Sequence, residues 1–431
     1  MGTRYFDLLN RERTFYDVSK IYFSFEKEED VFENISRSVT APSIYMFTCW
    51  IISRAEKLGL KRLYFFSRDG YYMHQAAEKI CKRRNNGIKC SYFFCSRYSL
   101  RMGAYRFKDD SAYDELFYFA YKISPYILLR RADFSDEERK MTYENTGFDG
   151  DEKKIMTKHD FSEFCSLLKK SDVFEKLLME KSDASYEGIK AYIIQEEMTS
   201  YDKIGVVDLG WNGSMQYTLR KILDSMGSDV SVFGFYLGMM SFPHQNEKNN
   251  YFSWLFQKND YKTRSWFSHN LLECLCSAPH GMTLKYILNK NSDSVSVVFD
   301  KHTGSKRSDV MLTEELKILS ENCDTDYYDS FKKTALRLLY LLMYKPEPKE
   351  ADSLSGILFC DDVAEQYHGA LVVRSRKKDL LKEIFPFKIF NRKSADGFYW
   401  YFGSVAVSLV RAGGIYRFGY RITRYLLSGL R

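Results

Sequence analysis

Three short polar segments of this sequence carry residue types that could bind an anionic ligand. They read SRDG at 67–70, SRYS at 96–99 and DLGWNGS at 208–214. Arginine binds phosphate oxygens through paired hydrogen bonds, carboxylates hold metal ions or move protons, and glycine lets backbone N–H groups approach a ligand closely. The three segments therefore indicate a site for a phosphorylated ligand.

Asp69 and Asp208 are the candidate catalytic residues and also the candidate metal ligands. Each follows a short apolar run, at 63–66 and at 204–207, of the kind that forms a strand buried on both faces. If the two strands share a sheet, both carboxylates reach one edge, where they could contact a metal–phosphate complex or a sugar hydroxyl. The alternative is that each aspartate caps a helix N-terminus. The two glycines and the serine that follow Asp208 favour a functional role for it.

Arg68, Arg97 and Arg101 are the candidate phosphate ligands near the same edge. The alternative role of these side chains, above all of Arg101, is solvated surface charge or pairing with nearby acids. A backbone nest for a phosphate could form at 210–214. That segment matches neither GxGxxG nor GxxxxGK[ST], so we reject both nucleotide-binding motifs.

Glu273 and His280 lie on a predicted short helix, 270–276, and in the turn that follows it. A histidine in such a turn is more often a hydrogen-bonded structural residue than a ligand, and the same holds for His74 within its helix. The sequence contains no HExxH motif and no GxSxG nucleophile elbow. Nucleophilic hydrolysis therefore has no support from the sequence.

Alternating strands and helices must position these residues. Two further apolar runs, 90–95 and 230–237, predict strands, and apolar residues at helical spacing follow residues 70 and 214. Strand–helix alternation implies a parallel sheet with right-handed crossovers, whose strand C-termini share one edge. We therefore predict an α/β fold with a Rossmann-like parallel sheet core, a large helical insertion and a helical C-terminal region.

The same patterns divide the chain into six segments. They are a helical N-terminal extension at 1–43, the first part of the α/β core at 44–103, a helical insertion at 104–200, the second part of the core with a β-hairpin at 201–300, a helical region at 301–345, and a helical C-terminal region with a basic aromatic tail at 346–431. The two prolines of KPEP at 345–348 are the clearest linker signal. The insertion could cap the strand C-termini and shape an acceptor site.

Composition excludes several classes of protein. With 45% hydrophobic and 28% charged residues, the 431-residue chain is typical of a folded globular protein. The nine cysteines contain no paired CxxC set, so we expect reduced thiols rather than a disulfide frame or a zinc site. No signal peptide is visible at 1–22, and no stretch reaches the roughly 20 apolar residues of a membrane span. We therefore expect a cytoplasmic protein that is not integral to a membrane.

The basic C-terminal tail is typical of a segment that binds a membrane surface. Seven cations and a single acid, Asp396, lie between residues 391 and 431. Arg417, Arg421 and Arg424 share a helical face, and the aromatic residues around them prefer a membrane interface. We therefore expect 398–431 to bind an anionic membrane surface. A helix docked on the core is the alternative; we expect no nucleic-acid partner, because the tail has no nucleic-acid-binding fold.

Four motifs resemble the C-terminal half of a bacterial protein family from the gene clusters of surface polysaccharides such as capsule and O-antigen. They are LYFFSRDGYYM, SYFFCSRYSLR, VVDLGWNGSMQYTL and LLECLCSAPHG, and the resemblance covers about residues 40–280. In that family a haloacid-dehalogenase-type phosphatase domain precedes a glycan-directed phosphoribosyltransferase domain. The resemblance implies transfer of 5-phosphoribosyl from phosphoribosyl diphosphate to a glycan, followed by removal of the 5-phosphate. Residues 1–43 lack the paired-aspartate motif of the phosphatase, so we expect a stand-alone ribofuranosyltransferase domain. Three outcomes stay open: a separate phosphatase acts, the 5-phosphate stays, or the activity has drifted from that of the family.

The resemblance also implies roles for individual residues. Donor phosphates would contact Ser67, Arg68, Gly70, Ser96 and Arg97. Asp69 would serve metal or acid–base chemistry, whereas the ribose phosphate end would contact Asp208, Gly210, Trp211, Asn212, Gly213 and Ser214. The remaining substrate contacts would come from Arg101 and Gln216, and on the acceptor side from Glu273 and His280.

The expected cofactor is Mg²⁺, which would neutralise the diphosphate leaving group. Nearby carboxylates would stabilise the oxocarbenium-like state at the anomeric carbon. The acceptor would be a lipid-linked glycan at the inner face of the cytoplasmic membrane. A nucleotide-sugar-dependent glycosyltransferase, a haloacid-dehalogenase-like phosphatase and a non-catalytic polysaccharide-assembly subunit are the alternatives.

Overall fold

A sheet of five parallel strands lies at the centre of the computed structural model, which describes residues 3–11, 30–108, 116–119, 123–242, 249–289, 294–301, 306–322, 328–360, 368–390, 398–409 and 411–429. The strands are β1 (Arg62–Phe66), β2 (Lys89–Phe93), β3 (Lys203–Trp211), β4 (Ser231–Met239) and β5 (Asn249–Phe256). Across the sheet they follow the order β2-β1-β3-β4-β5. The predicted α/β fold with a Rossmann-like parallel sheet is confirmed.

Helices and two small antiparallel pairs make up the other regular elements. The helices before β3 are α1 (Thr3–Asn10), α2 (Val31–Ile35), α3 (Ala41–Lys57), α4 (Tyr71–Arg84), α5 (Arg97–Ala104), α6 (Pro125–Arg131), α7 (Asp136–Thr146), α8 (Lys158–Lys169) and α9 (Asp172–Gln195). The later ones are α10 (Ser214–Ser225), α11 (Tyr261–Arg264), α12 (His269–Cys276), α13 (Lys306–Asn322), α14 (Tyr328–Tyr344), α15 (Pro348–Ser353), α16 (Lys377–Leu381), α17 (Phe387–Phe390), α18 (Tyr401–Ser408) and α19 (Gly413–Gly429). The pairs are β6 (Thr283–Leu288) with β7 (Val295–Phe299), and β8 (Leu358–Phe359) with β9 (Gly369–Ala370).

The direction in which the chain crosses the sheet reverses between β1 and β3. The chain passes from β1 to β2 through α4, then returns past β1 by way of α5–α9, and passes from β3 to β4 through α10. The described residues between β2 and β3 contain helices and no strand. In a parallel sheet of this order a crevice forms where neighbouring strands lead the chain in opposite directions. The carboxyl ends of β1 and β3 border that crevice.

Two strands differ from the prediction. β3 does not end at 207 but runs on to Trp211, because it stays paired with β4 as far as Met239. β5 is absent from the prediction, since NNYFSWLF follows a polar segment and mixes polar with aromatic residues. Packing against α3 explains its formation, because Trp254 of β5 stacks on Phe47 with ring centroids 5.9 Å apart. The sequence also predicts helices at 363–367 and 113–122; the first lies outside the described residues, as does most of the second.

Helix α3 is the centre of the largest apolar core. Nearly every residue of α3 is buried, as the apolar run at its start predicts. On one side it meets the sheet, where Trp50 contacts Phe235 of β4 edge to face at 6.0 Å between centroids. On the other side it packs against α13 and α14. The C-terminal helices therefore complete a core that the sheet and α3 begin.

The C-terminal tail also belongs to this core. Trp400 is buried and donates a hydrogen bond from its indole to the carbonyl of Met343 at 2.8 Å. Tyr401 stacks on Tyr420 of α19 with centroids 3.9 Å apart. No helix among the described residues combines the length and the apolar character that crossing a membrane requires.

The arginines of α19 do not face outward as the prediction of a membrane-binding basic face requires. Arg421 donates to the hydroxyl of Ser265 at 3.2 Å, and Arg424 donates to the carbonyl of Phe267 at 2.9 Å. Arg417 is half-buried, and burial lowers the pKa of its guanidinium. The three arginines share a helical face as predicted, but that face docks on the protein because segment 265–267 offers it oxygen acceptors.

We expect Gly210→Ala to destabilise the fold by about 3 kcal/mol. Gly210 has a φ of +134°, and a Cβ there would lie 2.1 Å from the carbonyl oxygen of Gly238 on β4. The paired strands leave no room for this oxygen to move. Chemical denaturation of both variants measures the effect. Gly356→Ala is the matched control, because a Cβ there meets nothing within 4 Å. Equal stability of the two variants would contradict the prediction.

Candidate active site

Three carboxylates meet at the carboxyl ends of β1 and β3. Asp69 lies three residues beyond the end of β1, and Asp208 lies within β3, opposite Tyr236 of β4. Glu273, on α12, approaches from the side, where its carboxylate accepts a hydrogen bond from the indole of Trp211 at 2.5 Å. Asp69 and Asp208 therefore lie close together at one edge of the sheet, as predicted. This edge is where the direction of the chain across the sheet reverses, between β1 and β3.

The turn after β1 is built by hydrogen bonds that use Ser67 and Gly70. The Ser67 hydroxyl donates to the carbonyl of Cys95 at 2.6 Å and accepts from the Cys95 N–H at 3.0 Å, so it joins the ends of β1 and β2. The Gly70 N–H donates to the carbonyl of Phe66 at 2.8 Å. A Cβ at Gly70 would lie 2.6 Å from that carbonyl oxygen, so the turn needs glycine. Both residues, expected to contact phosphate, instead shape the turn that presents Arg68 and Asp69.

The charges of the cluster act strongly on one another. Burial, followed by the charges of Glu273 and Asp208, raises the pKa of Asp69 well above its ordinary value, against the opposing effect of Arg68 and Arg97. Burial and the charge of Glu273 raise the pKa of Asp208 to about 7, although its carboxylate accepts the N–H of Leu209 at 2.9 Å. Raised pKa values of this origin mark buried carboxylates whose nearby negative charge outweighs the nearby positive charge. The cluster is therefore suited to a ligand that brings positive charge.

Trp211 fixes the position of Glu273. Its indole is buried against Phe267, with ring centroids 5.3 Å apart, and His269 lies 5.7 Å from it on the first turn of α12. Burial beside Arg424 and Arg97 lowers the pKa of His269 to about 3, so this imidazole is neutral at physiological pH. Trp211, predicted to contact the ribose phosphate, thus acts on the site through Glu273.

The phosphate nest predicted at 210–214 is not formed as a loop. Gly210 pairs with Gly238 inside the sheet, so β3 takes up the first half of the segment. Only Asn212 and Gly213 lie between β3 and α10, and Asn212 is exposed, with its side chain accepting from the Ser241 hydroxyl at 3.0 Å. Ser214 begins α10, where the first N–H groups of a helix have no partner within the helix.

Gln216 is a packing residue rather than a substrate ligand. Its side chain is fully buried, and its amide nitrogen donates to Asn249 at 2.6 Å and to the carbonyl of Asn250 at 3.0 Å. Its amide oxygen accepts from the Tyr236 hydroxyl at 2.7 Å. These partners use its hydrogen-bonding capacity inside the sheet, and this corrects the prediction.

The turn after β2 contains a serine with a structural role, Ser96, and two arginines follow it on α5. Ser96 caps α5: its hydroxyl accepts the Ser99 N–H at 2.9 Å and donates to the carbonyl of Thr283 at 2.6 Å. Ser96 is therefore not a donor-phosphate ligand. Arg97 is exposed, and its charge acts on both Asp69 and Asp208. Arg101 lies one turn further along α5 and is half-buried.

Tyr92 is a residue of the site that the sequence analysis missed. Its hydroxyl lies 2.7 Å from Nε2 of His280, whose Nδ1 lies 2.8 Å from the carbonyl of Gly281. A carbonyl only accepts, so Nδ1 carries the proton and Nε2 accepts from the tyrosine. Burial lowers the pKa of His280 and raises that of Tyr92, which keeps the pair neutral. The available signal was a polar hydroxyl within the predicted strand 90–95, shortly before the SRYS turn.

The carboxylates fit a metal ion by ligand type. Oxygen donors suit Mg²⁺, which is often held by one or two carboxylates together with substrate phosphates. Among the described residues, the group of three acidic or histidine side chains that converges within 4.8 Å is the exposed set His159, Asp160 and Glu163, not the site cluster. Asp69 and Asp208 therefore fit an ion that arrives with a phosphorylated ligand better than one held by protein ligands alone.

No protein-family model matches this chain, and no curated protein matches it significantly. Its function must therefore be inferred from the residues at the sheet edge and from the resemblance of its motifs. Those residues combine acid–base groups with arginines at one edge of the sheet.

We expect Asp208→Asn to stabilise the protein at alkaline pH. Because the pKa of Asp208 rises from about 3.8 in the unfolded chain to about 7, the folded state holds an extra proton between these values, and stability falls as pH rises through them. Asparagine removes the buried charge and keeps an acceptor for Leu209. Its advantage over wild type should grow from pH 4 to pH 8 to on the order of 2 kcal/mol.

Urea denaturation across this pH range measures the difference. Asp202→Asn is the control, because this side chain is exposed and its substitution should give no such trend. A constant difference between Asp208→Asn and wild type would contradict the raised pKa.

Proposed function

We propose that this chain transfers a 5-phosphoribosyl group from phosphoribosyl diphosphate to a hydroxyl of a glycan in surface-polysaccharide biosynthesis. The observation that carries the proposal is the cluster of Asp69, Asp208 and Glu273 at the reversal point of the sheet, with Arg68 and Arg97 beside it. A donor with phosphates at two ends needs cationic ligands, and a cation-like reacting carbon needs carboxylates. The motif resemblance selects this donor among phosphorylated sugars.

Arg68 and Arg97 are the donor-binding residues in this proposal. Both exert their charge on Asp69, so both lie close to the three carboxylates, and Arg97 is exposed. Guanidinium groups grip phosphate oxygens bidentately and remain charged at every physiological pH. Asp69 would hold Mg²⁺ together with the donor phosphates, which leaves Asp208 for the acceptor; when bound, the ion would offset the charge of the diphosphate.

Asp208 is the proposed general base. It removes the proton of the acceptor hydroxyl as the acceptor oxygen bonds to C1 of the ribose, while the bond from C1 to the diphosphate oxygen breaks and its electron pair leaves with the diphosphate. A pKa of about 7 suits this task, because the carboxylate is available at neutral pH and still binds a proton firmly. Asp69 stabilises positive charge at C1 in the same step.

The acceptor side is formed by Glu273, Tyr92 and His280. Glu273 is held by Trp211, and the Tyr92–His280 pair is neutral and partly buried. Aromatic faces and fixed hydrogen-bonding groups are the features that bind sugar rings. Of these three residues, Glu273 also raises the pKa of the general base.

The cellular setting follows from the substrate proposed. Phosphoribosyl diphosphate is a cytoplasmic metabolite class, and a growing polysaccharide is lipid-linked, so the enzyme would act at the inner face of the cytoplasmic membrane. A separate phosphatase would remove the 5-phosphate after transfer.

Incubation with phosphoribosyl diphosphate, Mg²⁺ and a lipid-linked glycan extract tests the proposal. Mass spectrometry should show the acceptor heavier by one phosphoribosyl group, and the gain should fall by at least about 10²-fold with Asp208→Asn. Parallel reactions with nucleotide sugars separate this function from an ordinary glycosyltransferase. Transfer from a nucleotide sugar, release of phosphate without transfer, or binding without turnover would overturn it in favour of the corresponding alternative.

We expect Glu273→Gln to shift the pH dependence of transfer to lower pH. In the wild type, kcat/KM should rise with pH through about 7 as Asp208 ionises. Removing the charge of Glu273 makes ionisation of Asp208 easier, so the midpoint should fall by about 1 pH unit. Glutamine retains an oxygen for the Trp211 indole, so the geometry is preserved.

The pH profile of kcat/KM for both enzymes provides the measurement. Glu163→Gln, on the exposed surface of α8, is the control and should leave the midpoint in place. An unchanged midpoint in Glu273→Gln would show that Asp208 is not the group that titrates.

A further inference from the structure

The outer face of α19 is apolar and exposed. Ile415 and Phe418 are 79% and 60% exposed, and Tyr425 is 51% exposed. Ile422, Leu426 and Leu427 are also exposed. The stripe recurs at i, i+3, i+7 and i+10, so it occupies one side of the helix. In a globular protein such an apolar face normally packs against the core. In α19 the face with the arginines contacts the protein instead.

Neighbouring segments extend this surface. The segment between α16 and α17 lies beside α19, where the Phe385 N–H donates to the Thr423 hydroxyl at 2.7 Å. Phe385 and Phe387 are 48% and 46% exposed. On another side, Tyr425 contacts Tyr261 of α11 edge to face. Both segments contact α19, so their apolar side chains lie beside this helix; together with its outer face we call them the α19 surface.

Cations surround the α19 surface. Arg411, Arg376, Lys377 and Lys378 are exposed at its margin, whereas the three arginines within α19 lie on the docked inner face. Residues 376–388 contain five cations against two acids. Of the two acids, Glu383 is buried and paired with Lys388. Lys262 on α11 is also exposed. An occupant of this surface must therefore be apolar at its centre and anionic at its margin.

We propose that the α19 surface inserts into the interfacial layer of an anionic lipid bilayer. Apolar and aromatic side chains favour the boundary between headgroups and acyl chains, and the surrounding cations favour anionic headgroups. A second copy of the chain fits less well, because a self-complementary contact would bring these cations against their own equivalents.

The inner face of the same helix connects this surface to the candidate active site. Arg421 and Arg424 bind Ser265 and Phe267, which immediately precede α12, and α12 carries Glu273. The helix that bears the α19 surface thus contacts the segment that precedes Glu273. A role of this contact in acceptor binding rests on the proposed function, under which the acceptor is lipid-linked; the binding of the bilayer itself does not.

Sedimentation of the full-length chain with phosphatidylcholine vesicles, with or without about 30% phosphatidylglycerol, tests the proposal. Wild type should bind the anionic vesicles. Ile415→Ser with Phe418→Ser should weaken this binding at least about tenfold, because two exposed apolar side chains no longer leave water. Lys262→Gln with Arg411→Gln should weaken binding to anionic vesicles several-fold and leave binding to neutral vesicles unchanged.

Ile155→Ser with Tyr118→Ser is the matched control, because these exposed side chains lie in the insertion and their loss should not change binding. Absence of wild-type binding, or equal binding by the Ile415/Phe418 variant with an unchanged melting curve, would overturn the proposal. A wild-type dimer that this variant converts to a monomer, without vesicle binding, would assign the surface to a second copy. Vesicle binding without turnover of phosphoribosyl diphosphate would sustain the docking surface and count against the proposed function alone.

Discussion

Asp69, Asp208 and Glu273 repel one another at the carboxyl ends of β1 and β3. The turns and helices around them must therefore hold three mutually repelling carboxylates in place. A carboxylate withdrawn from water beside another carboxylate is unfavourable unless a proton or a cation compensates it. Arg68 and Arg97 compensate in part, yet the pKa values of both aspartates remain raised. A site in this state binds a proton at rest and favours a cationic group when a ligand arrives.

Neutral polar residues near these charges serve the scaffold. Ser67 joins the ends of β1 and β2, Ser96 caps α5, and Gln216 ties α10 to β4 and β5. These short hydrogen bonds keep the turns rigid, and a rigid turn is what holds a carboxylate near a like charge. Neutral and charged residues differ in role for a physical reason. Nearby backbone groups readily supply the hydrogen bonds that a hydroxyl or amide needs, but they do not compensate the charge of a buried carboxylate beside other carboxylates.

Helix α19 turns its arginines toward the protein and its apolar residues outward, which is the reverse of an ordinary surface helix. Its arginines contact Ser265 and Phe267 beneath it, while Ile415 and Phe418 point away from the protein. Because the arginine contacts lie directly before α12, the last helix of the described chain supports the segment that places Glu273. Core packing, the site and the exposed apolar surface are thus linked through one short segment of backbone.

The sequence by itself determined the class of fold and the edge where the chemistry lies. Apolar runs of strand length alternating with helical periodicity specify a parallel sheet, and the geometry of parallel strands places Asp69 and Asp208 on one side. It could not specify that β1 and β3 are neighbours, that β5 exists, or which face of α19 docks. Those features depend on contacts between residues far apart in the chain, such as Trp254 with Phe47 and Arg424 with Phe267. Local sequence patterns show the periodicity of helices and strands, but they do not show which distant residues contact each other. Only the tertiary structure therefore decided which polar groups remain available for a ligand.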